Sequence, residues 1–153
     1  MKATHNPLEQ AARHLRFPDT ADPALTPGLL LRCAAHYLTA YGRTVGEFFD
    51  LLSDQPWPPA CATGAINIAA HGKAILCADD SAEDAVTDAA IAAIRVFAAF
   101  LDIDYAHGDT TTSAIDIIAA FNDHPDSTTA QVVKALTEAA DDWDRAHRTG
   151  GAR

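Results

Sequence analysis

Ala85-Val86-Thr87-Asp88-Ala89-Ala90-Ile91-Ala92-Ala93-Ile94-Arg95-Val96-Phe97-Ala98-Ala99-Phe100-Leu101 is the stretch on which the fold turns. Ala90, Ile94, Phe97 and Leu101 recur at spacings of three and four, the period of one helical face, while Ile91, Ala98 and Phe100 supply most of the remaining circumference. A helix apolar nearly all round belongs in the middle of a small domain. Ser81 is placed to cap it. The run Ala89 to Leu101 is also the longest apolar stretch in the chain, and Arg95 interrupts it well short of the ~20 residues that span a bilayer, so no membrane crossing is expected.

Helical signals continue on both sides. Upstream, Ala60 to His71 reads as a small-residue helix stopped by Gly72, with Cys61, Ala65 and Ile68 on one apolar stripe and Thr63, Asn67 and His71 on a polar one. Before it, Gln55-Pro56-Trp57-Pro58-Pro59 must break any helix, and Thr44-Val45-Gly46-Glu47 has the form of a capping box opening a short helix through Phe48, Phe49, Leu51 and Leu52. Thr26-Pro27 opens a helix carrying Leu30, Ala34, Tyr37 and Tyr41 to its stop at Gly42, with Arg32, His36 and Arg43 roughly along its other side. Downstream, a polar connection through His107-Gly108-Asp109 leads to Ser113, which can cap a short helix with Ile115, Ile117, Ile118 and Phe121. After Pro125, the Ser127-Thr128-Thr129 region opens a last helix with Val132, Leu136, Ala139 and Trp143 in register.

These elements make an all-α fold, a bundle of about five to six helices around the central apolar helix 85–101. At 153 residues one core is expected. Residues 1–25 read as an N-terminal arm, with a short helix from Asn6 to about Phe17 and a Pro-rich linker; 26–148 form the helical domain and 149–153 a disordered tail.

The formal net charge of −10 repels phosphate backbones, so direct nucleic-acid binding is disfavoured. The start of the chain lacks the apolar stretch of a secretory signal, and Cys33, Cys61 and Cys77 are an odd, widely spaced set that suits reduced thiols; a cytoplasmic address is expected. No Gly-rich phosphate loop, Gly-x-Ser-x-Gly elbow, His-Glu-x-x-His or Cys-x-x-Cys is present, so the sequence assigns no reaction class, and no cofactor is expected.

Three constellations remain. Thr63, Asn67 and His71 share one side of a helix and could line a pocket, with Gly64 allowing a backbone or ligand to approach; a solvent-facing polar stripe explains the same spacing. Cys33-x-x-His36 could contribute to a metal site, but a buried Cys33 beside an exposed His36 explains it without one, and no metal is expected. Phe121-Asn122-Asp123-His124-Pro125 gathers a carboxylate, an amide and an imidazole at a helix end, where Asn and Asp are also preferred for local reasons. In the acidic run Asp141-Asp142-Trp143-Asp144, Arg145 and Arg148 follow Asp141 and Asp144 by four residues, as in exposed ion pairs.

The succession Tyr37-Leu38, Tyr41-Gly42, Gly46-Glu47-Phe48-Phe49-Asp50, Pro58-Pro59-Ala60-Cys61-Ala62, Gly64-Ala65-Ile66, Asn122-Asp123 and Ala139-Ala140-Asp141-Asp142-Trp143-Asp144 resembles a group of small uncharacterised actinobacterial proteins, a domain of unknown function, from about Leu29 to His147. The resemblance implies shared architecture and an intracellular actinobacterial setting, with no reaction attached. The group usually has tryptophan where this chain has Arg43 and Phe121.

The leading expectation is a binding or regulatory module for a small molecule or protein partner, with Thr63, Asn67, His71, Asn122 and Asp123 as candidate ligand-binding residues. The alternatives are a small enzyme using an acid-base or Cys/His site near Cys61, His71 and Asp123, and an acidic decoy that mimics nucleic acid. Nothing in the sequence sets the oligomeric state. Ile94 and Phe97 should be buried and packed against Leu136 and Trp143. Phe97→Ala should cost ~3–5 kcal/mol in denaturant unfolding, and a loss below ~1 kcal/mol would place the ring at a loose or solvated surface.

Overall fold

The computed structural model describes residues 25–74, 85–105 and 110–151. Its helices are α1 (Pro27–Tyr41), α2 (Ala62–His71), α3 (Ala85–Leu101), α4 (Thr111–Asn122) and α5 (Thr129–Gly151). Among the described residues there is no strand, only the isolated bridges Arg43–Ala60 and Phe49–Ala60, so the fold is all-α. The expected Asn6–Phe17 helix, Cys77, the Ser81 cap and the His107-Gly108-Asp109 connection lie outside the described residues.

Local chemistry sets most helix ends. Thr26 caps α1 by accepting from Leu29 N, and the Gly42 N–H closes it on Leu38 O. Gly72 ends α2 in the left-handed region at φ 74°, which a residue without Cβ enters at no steric cost. Thr110, not Ser113, caps α4; it accepts from Ser113 N, so the helix begins two residues before the serine expected to open it. Thr128 and Gln131 form a reciprocal capping box at the head of α5, Gln131 N donating to Thr128 Oγ1 and Thr128 N to Gln131 Oε1. That helix runs on to Gly151.

α3 packs against each of the other four helices, which gives it the central place expected of it. It is not buried all round, however: Ala90, Ala93, Ile94, Phe97 and Ala98 form the buried stripe, while Ala99 and Phe100 are exposed. Phe97 is 0% exposed and meets Phe121 edge-on, with ring centroids 6.4 Å apart. Leu136 shares its core, whereas Trp143 lies against the start of α1 and stacks on His147.

In α1 Leu30, Leu31, Cys33, Ala34, Tyr37 and Leu38 are all enclosed, and its largest contact is with α5. Glycine permits the close approach: a Cβ on Gly28 would stand 2.5 Å from Asp144 Oδ1 and 3.1 Å from Trp143 Cε3. One turn on, Arg32 Nη2 pairs with both Asp141 Oδ1 and Asp144 Oδ2 at 2.6 Å. The expected pairing of these aspartates with Arg145 and Arg148 is corrected accordingly; Arg145 pairs with Asp142 instead. Burial pulls the Arg32 guanidinium down, but the hydrogen bonds and charges of Asp144 and Asp141 outweigh it and leave the pKa raised.

The helix expected over Thr44 to Leu52 does not form. Its backbone groups are spent on the returning chain: Thr44 N donates to Ala60 O, Asp50 N to Pro59 O, and Phe48 O accepts from Cys61 N. Gly46 sits at φ 81°, outside the right-handed helical region, and Phe49 is buried while Leu51 and Leu52 face solvent. Tyr37 holds the proline-rich return in place, donating its hydroxyl to Pro58 O at 2.6 Å and meeting Trp57 edge-on.

The same seam forces a glycine at 64, where any Cβ would collide with the Phe48 carbonyl oxygen and touch the Phe49 ring. Gly64→Ala should therefore destabilise the fold by ~1–3 kcal/mol in thermal or denaturant unfolding, although alanine is the better helix former by ~1 kcal/mol. A neutral or stabilising result would mean that the 48–49 backbone yields freely.

Candidate binding site

Cys61 ends the 43–61 crossing and caps α2. Its Sγ accepts from Gly64 N at 3.3 Å, so the thiol is the helix cap, a role that placing Cys61 on an apolar stripe did not foresee; α2 begins at Ala62, two residues later than expected. Burial above all raises the Cys61 pKa, and the charge of Asp123 adds to it, against the lowering effect of the Gly64 and Thr63 N–H groups. The thiol thus stays protonated near neutral pH and is a poor nucleophile there. Cys33 is buried in α1, its pKa pushed up to about 12 by desolvation, and His36 is exposed. Among the described residues no three His, Cys, Asp or Glu side chains gather in a way that could hold a metal ion.

The polar stripe of α2 does not face solvent. Thr63 is 2% exposed and Asn67 1%, because α2 is enclosed by α1, α3, α4 and the 43–50 crossing. Asn67 Oδ1 has no hydrogen-bond partner among the described residues. His71 stands at the opposite end of α2 from Cys61, ~15 Å away along the axis at 1.5 Å per residue.

Asn122, the last residue of α4, is 0% exposed and fully engaged. Its Oδ1 accepts from Ala62 N at 3.1 Å, and its Nδ2 donates to Thr44 O at 3.0 Å and to Asp123 Oδ1 at 2.7 Å. The amide joins α4, the head of α2 and the 43–50 crossing, a structural task that leaves none of its donors for a ligand. Arg43 reinforces the corner by donating to the carbonyls of Asn122 and Ser127, and to Thr129 Oγ1. The guanidinium thus satisfies the last carbonyl of α4, at a helix C-terminus where positive charge is favoured.

Between the crossing, α2 and α4 lies a cleft of about 150 Å³. Phe48, Ile115 and Ala119 supply apolar lining; Cys61, Thr63, Glu47 and Asp123 supply polar groups. Of the five candidate residues, therefore, Thr63 and Asp123 meet at one site, Asn122 buttresses it from behind Asp123, and Asn67 and His71 do not line it. Glu47, Phe48, Ile115 and Ala119 carried no signal of a binding role in the sequence. His124 lines a separate, more open groove of about 440 Å³ with Phe121, Lys134 and Glu138, and its Nδ1 accepts from Asp126 N in the turn after α4. The constellation at 121–125 is thus split between two depressions and a helix exit.

A protein family described as a family of unknown function (DUF6197) matches residues 22–142. No curated protein matches the chain, and no solved structure does.

Asn122→Ala would leave Ala62 N and Thr44 O without their partner, and two such losses at ~1–3 kcal/mol each should lower stability by ~2–6 kcal/mol. Asn122→Asp keeps the acceptor for Ala62 N but removes the donor to Thr44 O and sets a second carboxylate beside Asp123. Calorimetric unfolding of both variants checks this; an unchanged Tm in both would mean that the corner does not hold the fold.

Proposed function

The chain belongs to the DUF6197 family, a family of unknown function, and we propose that this member is a binding module whose site is the cleft at the head of α2. The observation that carries the proposal is the union of apolar lining and a few polar groups in one concavity, the usual composition of a ligand site. At about 150 Å³ the cleft is smaller than the ~300–1,000 Å³ of sites for drug-sized molecules, so it takes a group of side-chain size, either a small metabolite or one residue of a partner.

Catalysis has less support from the same geometry. A nucleophilic Cys61 needs a base and a lowered pKa; its pKa is raised, and His71 is a helix length away. The decoy reading needs a row of free carboxylates, yet Asp141 and Asp144 are committed to Arg32, and Asp79, Asp80 and Asp109 lie outside the described residues. The actinobacterial, intracellular setting implied by the resemblance is compatible with either a metabolite or a protein partner.

Titration of the isotope-labelled full chain with a panel of small cationic, neutral and anionic fragments tests the proposal. At least one class should shift the backbone amides of 46–48, 61–64 and 119–123 at millimolar concentration. Ala119→Leu, which fills the cleft, should abolish the shifts while helix content is kept. A panel in which no fragment moves these amides rules the module out.

A further inference from the structure

We propose that the group this cleft takes is an alkylammonium: a protonated amine at the end of a short apolar stem, as in a small aliphatic amine or a lysine side chain. The inference rests on the cleft being a binding site, and it follows from which polar groups there are already spent.

Donors are spent. Ala62 N is given to Asn122 Oδ1, Gly64 N to Cys61 Sγ and Ala65 N to Cys61 O, so the first turn of α2 offers an anion little of what a helix N-terminus normally provides. Both polar ends of Asn122 are occupied. Arg43 directs its N–H groups to Asn122 O, Ser127 O and Thr129 Oγ1.

Acceptors are in surplus. Among the described residues Asp123 receives one side-chain hydrogen bond, from Asn122 Nδ2, and a carboxylate offers about four lone-pair sites. Among the described residues Glu47 Oε1 meets the Thr44 hydroxyl, at 3.3 Å. Among the described residues neither carboxylate forms an ion pair, although both line the same cleft. The charge of Asp123 is felt within the site, since it contributes to holding the Cys61 thiol protonated. Two carboxylates with no countercharge, set against Phe48, Ile115 and Ala119, suit a ligand with a cationic head and an apolar stem. An anion would meet like charge from both carboxylates. A neutral stem would bury its carbons but leave the acceptors unanswered.

The test uses the labelled full chain and four probes: n-butylammonium, n-butanol, butyrate and Nα-acetyl-lysine methylamide. n-Butylammonium should move the amides of 46–48, 61–64 and 119–123 saturably, n-butanol should bind about tenfold more weakly, and butyrate should leave them in place. Asp123→Asn, which keeps the oxygen that Asn122 Nδ2 donates to, should weaken n-butylammonium about tenfold with little change in Tm; Glu47→Gln should act in the same direction. Tighter binding of the lysine derivative than of the free amine would identify the source as a partner's side chain, and the reverse order a small amine. Equal binding of n-butanol and n-butylammonium, or carboxamide variants that bind as the parent does, would overturn the ammonium assignment and leave the cleft a binding site. Silence from all four probes would remove both readings.

Discussion

Asn122 places a fully buried carboxamide where the end of α4, the start of α2 and the crossing after α1 meet, and each of its polar atoms answers a group that would otherwise be stranded. Buried amides are costly when half-satisfied and stiffening when complete. Much of the neighbouring geometry depends on this one being complete. The Thr44 carbonyl can turn inward because Nδ2 receives it, and Ala62 can begin a helix in the interior because Oδ1 accepts its N–H. Arg43 then closes the outer side of the corner over the carbonyls of Asn122 and Ser127.

Packing around that corner is set by small residues as much as by large ones. Gly64 lets the Phe48 carbonyl lie against α2, and Gly28 lets α5 bring Trp143 and Asp144 down onto α1. Alanine-rich faces on α2 and α3 continue the pattern, which suits a domain whose apolar share contains so much alanine: short interhelical distances replace bulky side chains as the means of excluding water.

The helices were legible in the sequence wherever their signals were local. Thr26-Pro27 with Gly42, Gly72, and the apolar spacing of α3 and α5 each depend on residues within a turn or two of one another. What failed was of longer range. Thr44 and Glu47 do approach each other as a capping box would have them do, but the backbone between them pairs with Pro59, Ala60 and Cys61 and cannot also coil. Spacing of four suggested Arg145 and Arg148 for Asp141 and Asp144, while the partner that wins is Arg32, more than a hundred residues earlier in the chain. Thr63, Asn67 and His71 were recognisable as one stripe, yet polarity alone pointed that stripe outward, and only the packing of the other elements shows it enclosed. Thr63 and Asp123 could be picked out as site residues by type; Glu47, Phe48, Ile115 and Ala119 could not, because their meeting is a product of the tertiary fold. Arg43 stood out in the sequence only as a departure from an aromatic position, and its bonds to two carbonyls give that departure a structural use.

The corner also fixes when the cleft can exist. Its seams join Thr44 to Asn122, Ala62 to Asn122 and Arg43 to Ser127, closures spanning 78, 60 and 84 residues. Loop-closure entropy for such spans is lost before any contact is gained, so these seams set late in folding. During synthesis, a nascent chain that has not yet released the end of α4 has α1 and α2 in hand but neither the Asn122 amide nor the Asp123 carboxylate that completes the cleft. The cleft is thereby absent from any chain that stops short of Asp123, and it takes shape only when the end of α4 folds back onto the head of α2.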